Sequence, residues 1–258
     1  MEAILDDLVT AVALLCGLFI ALELGFRAGR GSAAENDPKA AGQVGAIQGA
    51  ALGLLGLLLG FSFAAAGARF LERQDLIVRE ANAIGTAYLR ADLLDAPARE
   101  GLKGAIETYT KDRIAMTAEL RSGVTEASAA KIAALHAAMW KATTDGVTAK
   151  PAAMVVVVPA VNDVIDLHSL RLAAGQKHLP YLVMGLLVAC SLVAMAVIGF
   201  GCGLSGKRRG PMTMALGLLI GSALWITIDL DHPRAGLLQL SDAPLEALRF
   251  ESAVSPSK

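Results

Sequence analysis

Asn82, Thr86 and Arg90 stand four residues apart, so in a helix they share one face. An amide, a hydroxyl and a guanidinium in a row can hydrogen-bond a small anion, and equally can tie one helix to its neighbour. Glu80 lies just before them, and a second polar group comes later in the chain: Asn162, Asp163, Asp166, His168 and Arg171. Its members complement Glu80 and Arg90 if the two ends of the intervening region pack together. His168 has no second histidine three or four positions away, which favours a hydrogen-bonded core residue over a metal ligand and leaves pH sensing as the alternative. A third group, Asp229 and Asp231, closes an apolar segment. Carboxylates in such a place are costly unless partnered or hydrated, and here they read as helix-end groups with Arg234 as an ion-pair partner. Calcium binding by them lacks a loop of alternating oxygen ligands. The chain has no Gly-x-Ser-x-Gly, no phosphate loop ending in Gly-Lys-Ser/Thr and no His-Glu-x-x-His, so an enzyme is not expected. No cofactor and no resident metal are expected either.

The elements that carry these groups are set by hydropathy. Four apolar segments, 8–26, 44–68, 179–204 and 212–230, stand in two pairs around a charged stretch of residues 69–178. Each is 19 to 26 residues long and nearly free of charge, and about 20 apolar residues suffice for a helix to cross the hydrocarbon core. A content of 55% hydrophobic residues and a mean hydropathy of +0.54 exceed what a soluble core can hide, so membrane lipid is the expected surrounding. The net charge of −1 gives no reason to propose nucleic acid as a partner. Cys16, Cys190 and Cys202 fall inside the spans without paired spacing, as small apolar fillers. Glu2, Asp6 and Asp7 precede the first span with no Lys or Arg, the reverse of a cleavable signal, so that span is expected to remain.

The fold class is therefore an all-α membrane protein: a first transmembrane hairpin (1–68), a helical extramembrane domain (69–178), a second hairpin (179–230) and a C-terminal surface segment (231–258). The second span runs past Arg69 without Pro or turn signal, which predicts one continuous helix into the extramembrane region. Amphipathic helices follow on either side of Asp95-Ala96-Pro97, and another after a cap at Thr125. From Pro151 a further helix can continue into the third span, restarted or kinked at Pro159. The short-loop charge rule places the two hairpin turns, with Arg27, Arg30, Lys39, Lys207, Arg208 and Arg209, in the cytoplasm.

Along the second span, Gly45, Gly49, Gly53, Gly56, Gly60, Ala64 and Gly67 fall within an arc of roughly 100°. Such a face allows close van der Waals approach to another helix. Alternatively, several copies gather round an axis, with the adjoining stripe of Leu52, Leu55, Leu59, Phe63, Ala66 and Phe70 lining a narrow apolar passage.

The stretch Glu80-Ala81-Asn82-Ala83-Ile84-Gly85-Thr86-Ala87-Tyr88-Leu89-Arg90, the stretch Asn162-Asp163-Val164-Ile165-Asp166 with Arg171, His178-Leu179-Pro180, and Asp229-Leu230-Asp231-His232-Pro233-Arg234-Ala235-Gly236 together resemble the bacterial bestrophin-like domain proteins. The resemblance implies kinship with pentameric anion channels whose second transmembrane helix lines a hydrophobic neck. It also implies a cytosolic central region, contrary to the charge count. No bestrophin calcium-binding or neck residue aligns onto this chain. The expectation is thus a homo-oligomeric channel for small inorganic ions, anions in the family's manner, in the bacterial cytoplasmic membrane; a non-conducting scaffold that recruits a partner through its extramembrane helices is the alternative.

Overall fold

The computed structural model describes residues 2–32, 38–119, 126–207, 210–232 and 237–250, and among them there is helix and no strand. The helices are α1 (Glu2–Arg30), α2 (Pro38–Arg90), α3 (Ala98–Glu119), α4 (Glu126–Ala149), α5 (Met154–Gln176), α6 (Tyr181–Leu204), α7 (Gly210–Asp231) and the single turn α8 (Ala243–Glu246). Four of them are long and apolar enough to span a membrane, which makes this an all-α, multi-pass membrane protein. The chain divides into two compact units. The first comprises the residues up to Phe70 with His178–Gln239, and the second comprises Leu71–Lys177 with the residues from Leu240 on. The Thr125 cap, Arg208, Arg209 and Arg234 lie outside the described residues.

In the first unit α1 and α6 meet backbone to backbone. Gly25 and Gly29 on α1 face the carbonyls of Ala196 and Phe200, while Gly199 and Gly203 on α6 face those of Leu22 and Phe26. Each helix thus supplies two glycines four apart, the spacing that removes side chains from one line of contact. A Cβ at Gly25 would sit 1.9 Å from the Ala196 oxygen, and one at Gly199 2.0 Å from the Leu22 oxygen. Around this seam pack Leu18, Leu55, Leu187, Met195, Ile198, Ile220 and Leu224. Gln48 of α2 donates to the Val197 carbonyl at 3.0 Å.

The second unit has a conventional apolar core in which Ile77, Ile84, Leu102, Ile106, Tyr109, Met139, Val157 and Val164 are buried. Leu245, 1% exposed, joins that core with Leu248 and Phe250 packed against it. Most described residues after the fourth span are exposed, as expected of a surface segment, and Leu245 anchors the part from Leu240 on to this unit by entering its apolar core. The helix expected to pass from residue 151 into the third span is broken at 177–180 and not at Pro159, which lies inside α5. Pro180 has no N–H and disfavours helical backbone at the residue before it, and Lys177 is already extended.

Gly199→Ala and Gly25→Ala should each destabilise the protein by at least about 1–3 kcal/mol, because a methyl group meets rigid backbone. Gly185→Ala, on the same helix with open space around it, serves as the control. Thermal unfolding in detergent micelles measures all three, and equal losses at Gly185 and Gly199 would refute the seam.

Candidate functional site

Glu80 of α2 is fully buried and is reached from two other helices, α3 and α5. Arg113 of α3 donates from Nε to its Oε1 at 3.1 Å and from Nη2 to its Oε2 at 3.4 Å. Arg171 of α5 donates from Nη1 to Oε2, and its Nη2 lies 3.5 Å from Asp242. Tyr109 of α3 donates its hydroxyl proton to Glu80 Oε1 at 2.5 Å. That phenol has one proton to give, so the 3.3 Å contact with His168 Nδ1 makes the imidazole the donor there and fixes its tautomer. His136 of α4 packs edge-on against His168 with centroids 5.0 Å apart, and its Nε2 is buried without a hydrogen bond.

Two carboxylates, Glu80 and Asp242, thus face two guanidiniums. Burial alone would raise the pKa of Glu80, but Arg113 and Arg171 outweigh it and hold the group at about 2. Burial, helped by Arg113, lowers His168 to about 4. Burial, with Glu80 adding to it, pushes the Tyr109 phenol upward. The arrangement is charge-balanced and closed to solvent, which suits a structural lock rather than proton transfer.

The groups near the end of α7 form a separate constellation in the first unit. Asp229 accepts the backbone N–H groups of Leu237 and Leu238 at 3.0 and 2.9 Å. Asp231, 1% exposed, accepts from Arg69 Nε and Nη2 at 3.1 and 3.0 Å on Oδ1. Its Oδ2 accepts from the Leu179 N–H at 2.8 Å. Arg69 of α2 is thus an ion-pair partner of Asp231, while Arg234, the expected one, lies outside the described residues.

A model of the Bestrophin-like domain matches residues 10–245. The chain belongs to that family. No curated protein and no solved structure matches it. Among the motifs of this bestrophin-like chain, the structure brings together Glu80 with Arg171, and His178-Leu179 with Asp231. Asn162 donates to Asp166 at 2.8 Å on an exposed face, and neither meets Glu80. Asn82, Thr86 and Arg90 line, with Arg79, Asp163 and Leu167, a surface groove of about 350 Å³; Arg90 also donates to the Val156 carbonyl at 2.9 Å. Arg113, Tyr109 and His136 were not singled out as polar partners by sequence, and no spacing signal marks them.

The two expected faces of α2 also have definite places in the bestrophin-like fold. Gly45, Gly49, Gly53, Gly56, Gly60 and Gly67 have open space where a Cβ would be, with nothing among the described residues beyond the helix's own backbone within 4 Å. Leu55 is 2% exposed inside the first unit's core, Leu59 packs against that core and Phe70 against a neighbouring cluster. Leu55 is thus covered by its own chain and is off any surface that another copy could share. Phe63 is 47% exposed.

Glu80→Gln should cost about 3–5 kcal/mol, since it leaves two buried guanidiniums without their shared anion; chemical unfolding followed by circular dichroism reads this, and a loss below about 1 kcal/mol would contradict the lock. Acid should destabilise in two windows. His168 is depressed from 6.5 to about 4, so the unfolded chain takes up its proton first and stability falls as pH drops through that interval. Glu80, depressed from 4.5 to about 2, continues the loss below it. Burial also lowers the neighbouring His136 from 6.5, so His168→Phe should shrink the upper window in a pH series of unfolding midpoints and the His136→Phe/His168→Phe double variant should remove it; a profile unchanged by His168→Phe would exclude His168 as a source.

Proposed function

We propose that this chain assembles through the open glycine face of α2 into a homo-oligomeric channel for small anions in the bacterial cytoplasmic membrane, with a pentamer the stoichiometry that family kinship favours. One observation carries the reading. A helix packed on its own chain through Leu55 and Leu59 leaves its glycine arc without a neighbour among the described residues, and in lipid, where apolar side chains gain little from mutual contact, a bare backbone face is satisfied by close approach of another helix. Phe63, exposed beside that arc, narrows the axial passage and supplies the apolar constriction; Leu55, Leu59 and Phe70 back the helix from inside the protomer. Arg79, Asn82, Thr86 and Arg90 share one groove with Asp163, where two cations against one carboxylate leave a net positive charge beside two neutral donors, which favours anions over cations. A non-conducting scaffold is favoured by Leu89, Met154 and Val155, which are 69%, 49% and 80% exposed on the second unit and would suit a docked partner.

Chloride and potassium flux into proteoliposomes separates the two readings. Chloride-selective flux that Phe63→Trp reduces at least about tenfold is expected for an apolar gate; no flux over a range of pH sinks the channel and leaves the scaffold. Gly53→Leu should dissociate the oligomer in mass photometry while leaving protomer helicity unchanged, because no other element among the described residues comes within 4 Å of that position. An oligomer that persists with that leucine would place the interface elsewhere.

A further inference from the structure

We propose that His178, Asp231 and His232 form a binding site for a divalent transition-metal ion of the zinc class. The three residues come from the segment before α6 and from the end of α7, and one ligand atom of each lies within 4.8 Å of the other two. The imidazole rings of His178 and His232 stack with centroids 4.7 Å apart and an interplanar angle of 13°. His178 Nδ1 is 3.0 Å from the Asp231 carbonyl and His232 Nδ1 is 3.2 Å from the Ile228 carbonyl. His178 Nδ1 also lies 3.5 Å from Asp231 Oδ2 and turns from the carbonyl to the ion, whereas a carbonyl oxygen only accepts, so the His232 contact selects the tautomer protonated on Nδ1 and leaves its Nε2 lone pair as the ligand. An imidazole oriented through its other nitrogen is the usual outer-shell arrangement of a metal-binding histidine.

Asp231 is oriented as well. Its Oδ1 is held by two N–H groups of Arg69 and its Oδ2 by the Leu179 N–H, so the ion is taken on Oδ2, the oxygen that lies 3.5 Å from His178 Nδ1. The Arg69 charge weakens binding relative to a closed structural zinc site. Two imidazoles with one carboxylate suit zinc, nickel, copper or cobalt, whereas calcium and magnesium require mostly oxygen. Three protein ligands leave a coordination position for water. Ligand atoms of a tetrahedral ion stand closer together than the present spacing, so the site closes by small rotations of its two exposed side chains, His178 at 38% exposure and His232. The buried carboxylate is the fixed point. No short-range sequence pattern could announce this site, because its two histidines are far apart in the chain.

The site is independent of whether the protein conducts. Full-length protein in detergent, stripped with a chelator, is titrated with Zn²⁺ alone against a chromophoric competitor. One ion per chain is expected, undisturbed by excess Ca²⁺. His232→Gln alters only an exposed side chain and should weaken binding at least about tenfold, as should His178→Gln, with circular dichroism confirming unchanged helix. Co²⁺ in place of Zn²⁺ should give visible ligand-field bands that both variants lose. Zinc bound equally well by both variants, or not bound at all by the parent protein, overturns the proposal.

Discussion

A carboxylate cannot be taken out of water without a cation to replace its hydration, and Glu80 is taken out completely. The organisation of the second unit follows from that constraint. Arg113 and Arg171 must arrive from α3 and α5 at fixed angles, Tyr109 must present its proton, and Asp242 must return from beyond the fourth span to balance the second guanidinium. Such an arrangement adds little net stability compared with a well-packed apolar core. Its effect is selective: any mispacking of these four segments strands a buried charge, so alternative arrangements of helices with similar leucine and alanine content become expensive. The neutral His136 and His168 beside it keep further charge out of a pocket that already holds two cations.

The first unit follows a different rule. Its helices are apolar all round, so water cannot sort an inside face from an outside one, and contact is decided by how closely backbones can approach. The α1 and α6 glycines make the intrachain seam, and the α2 glycines face away from it. Two sets of small residues in one unit therefore have different addresses: one is already filled, and the other is available to a partner helix. Polar groups enter this unit mainly at helix ends, where Asp231 fastens Arg69 of α2 to the first residues of the third span.

The span count and the long α2 were legible because they depend on local hydropathy and on the absence of Pro. Glu80 and Arg171 were legible as polar residues on otherwise apolar faces. Arg113 was not, since Lys111-Asp112-Arg113 reads as a solvated helix face and only packing shows which of the three charges turns inward. Leu55 was misassigned to an axial stripe for a physical reason: on a uniformly apolar helix the hydrophobic pattern carries no information about which arc meets its own chain. The glycine pairs of α1 and α6 were present in the sequence at the recognisable spacing, but the longer run in α2 drew the attention. The meeting of His178 with Asp231 and His232 depends on bringing together the ends of two hairpin helices, and pattern reasoning has no access to it.

The C-terminal segment gives the protein an order of manufacture. Leu245, Leu248 and Asp242 complete a core and an ion cluster whose other members are all translated before the third span. A ribosome therefore emits α3, α4 and α5 well before the residues that close them, and Arg171 waits with one carboxylate fewer while two more helices are threaded into the bilayer. The second unit reaches its final form only after membrane insertion is finished, so a chain interrupted at any of its later spans also betrays itself in its extramembrane part, as a unit with an open core that proteases can recognise.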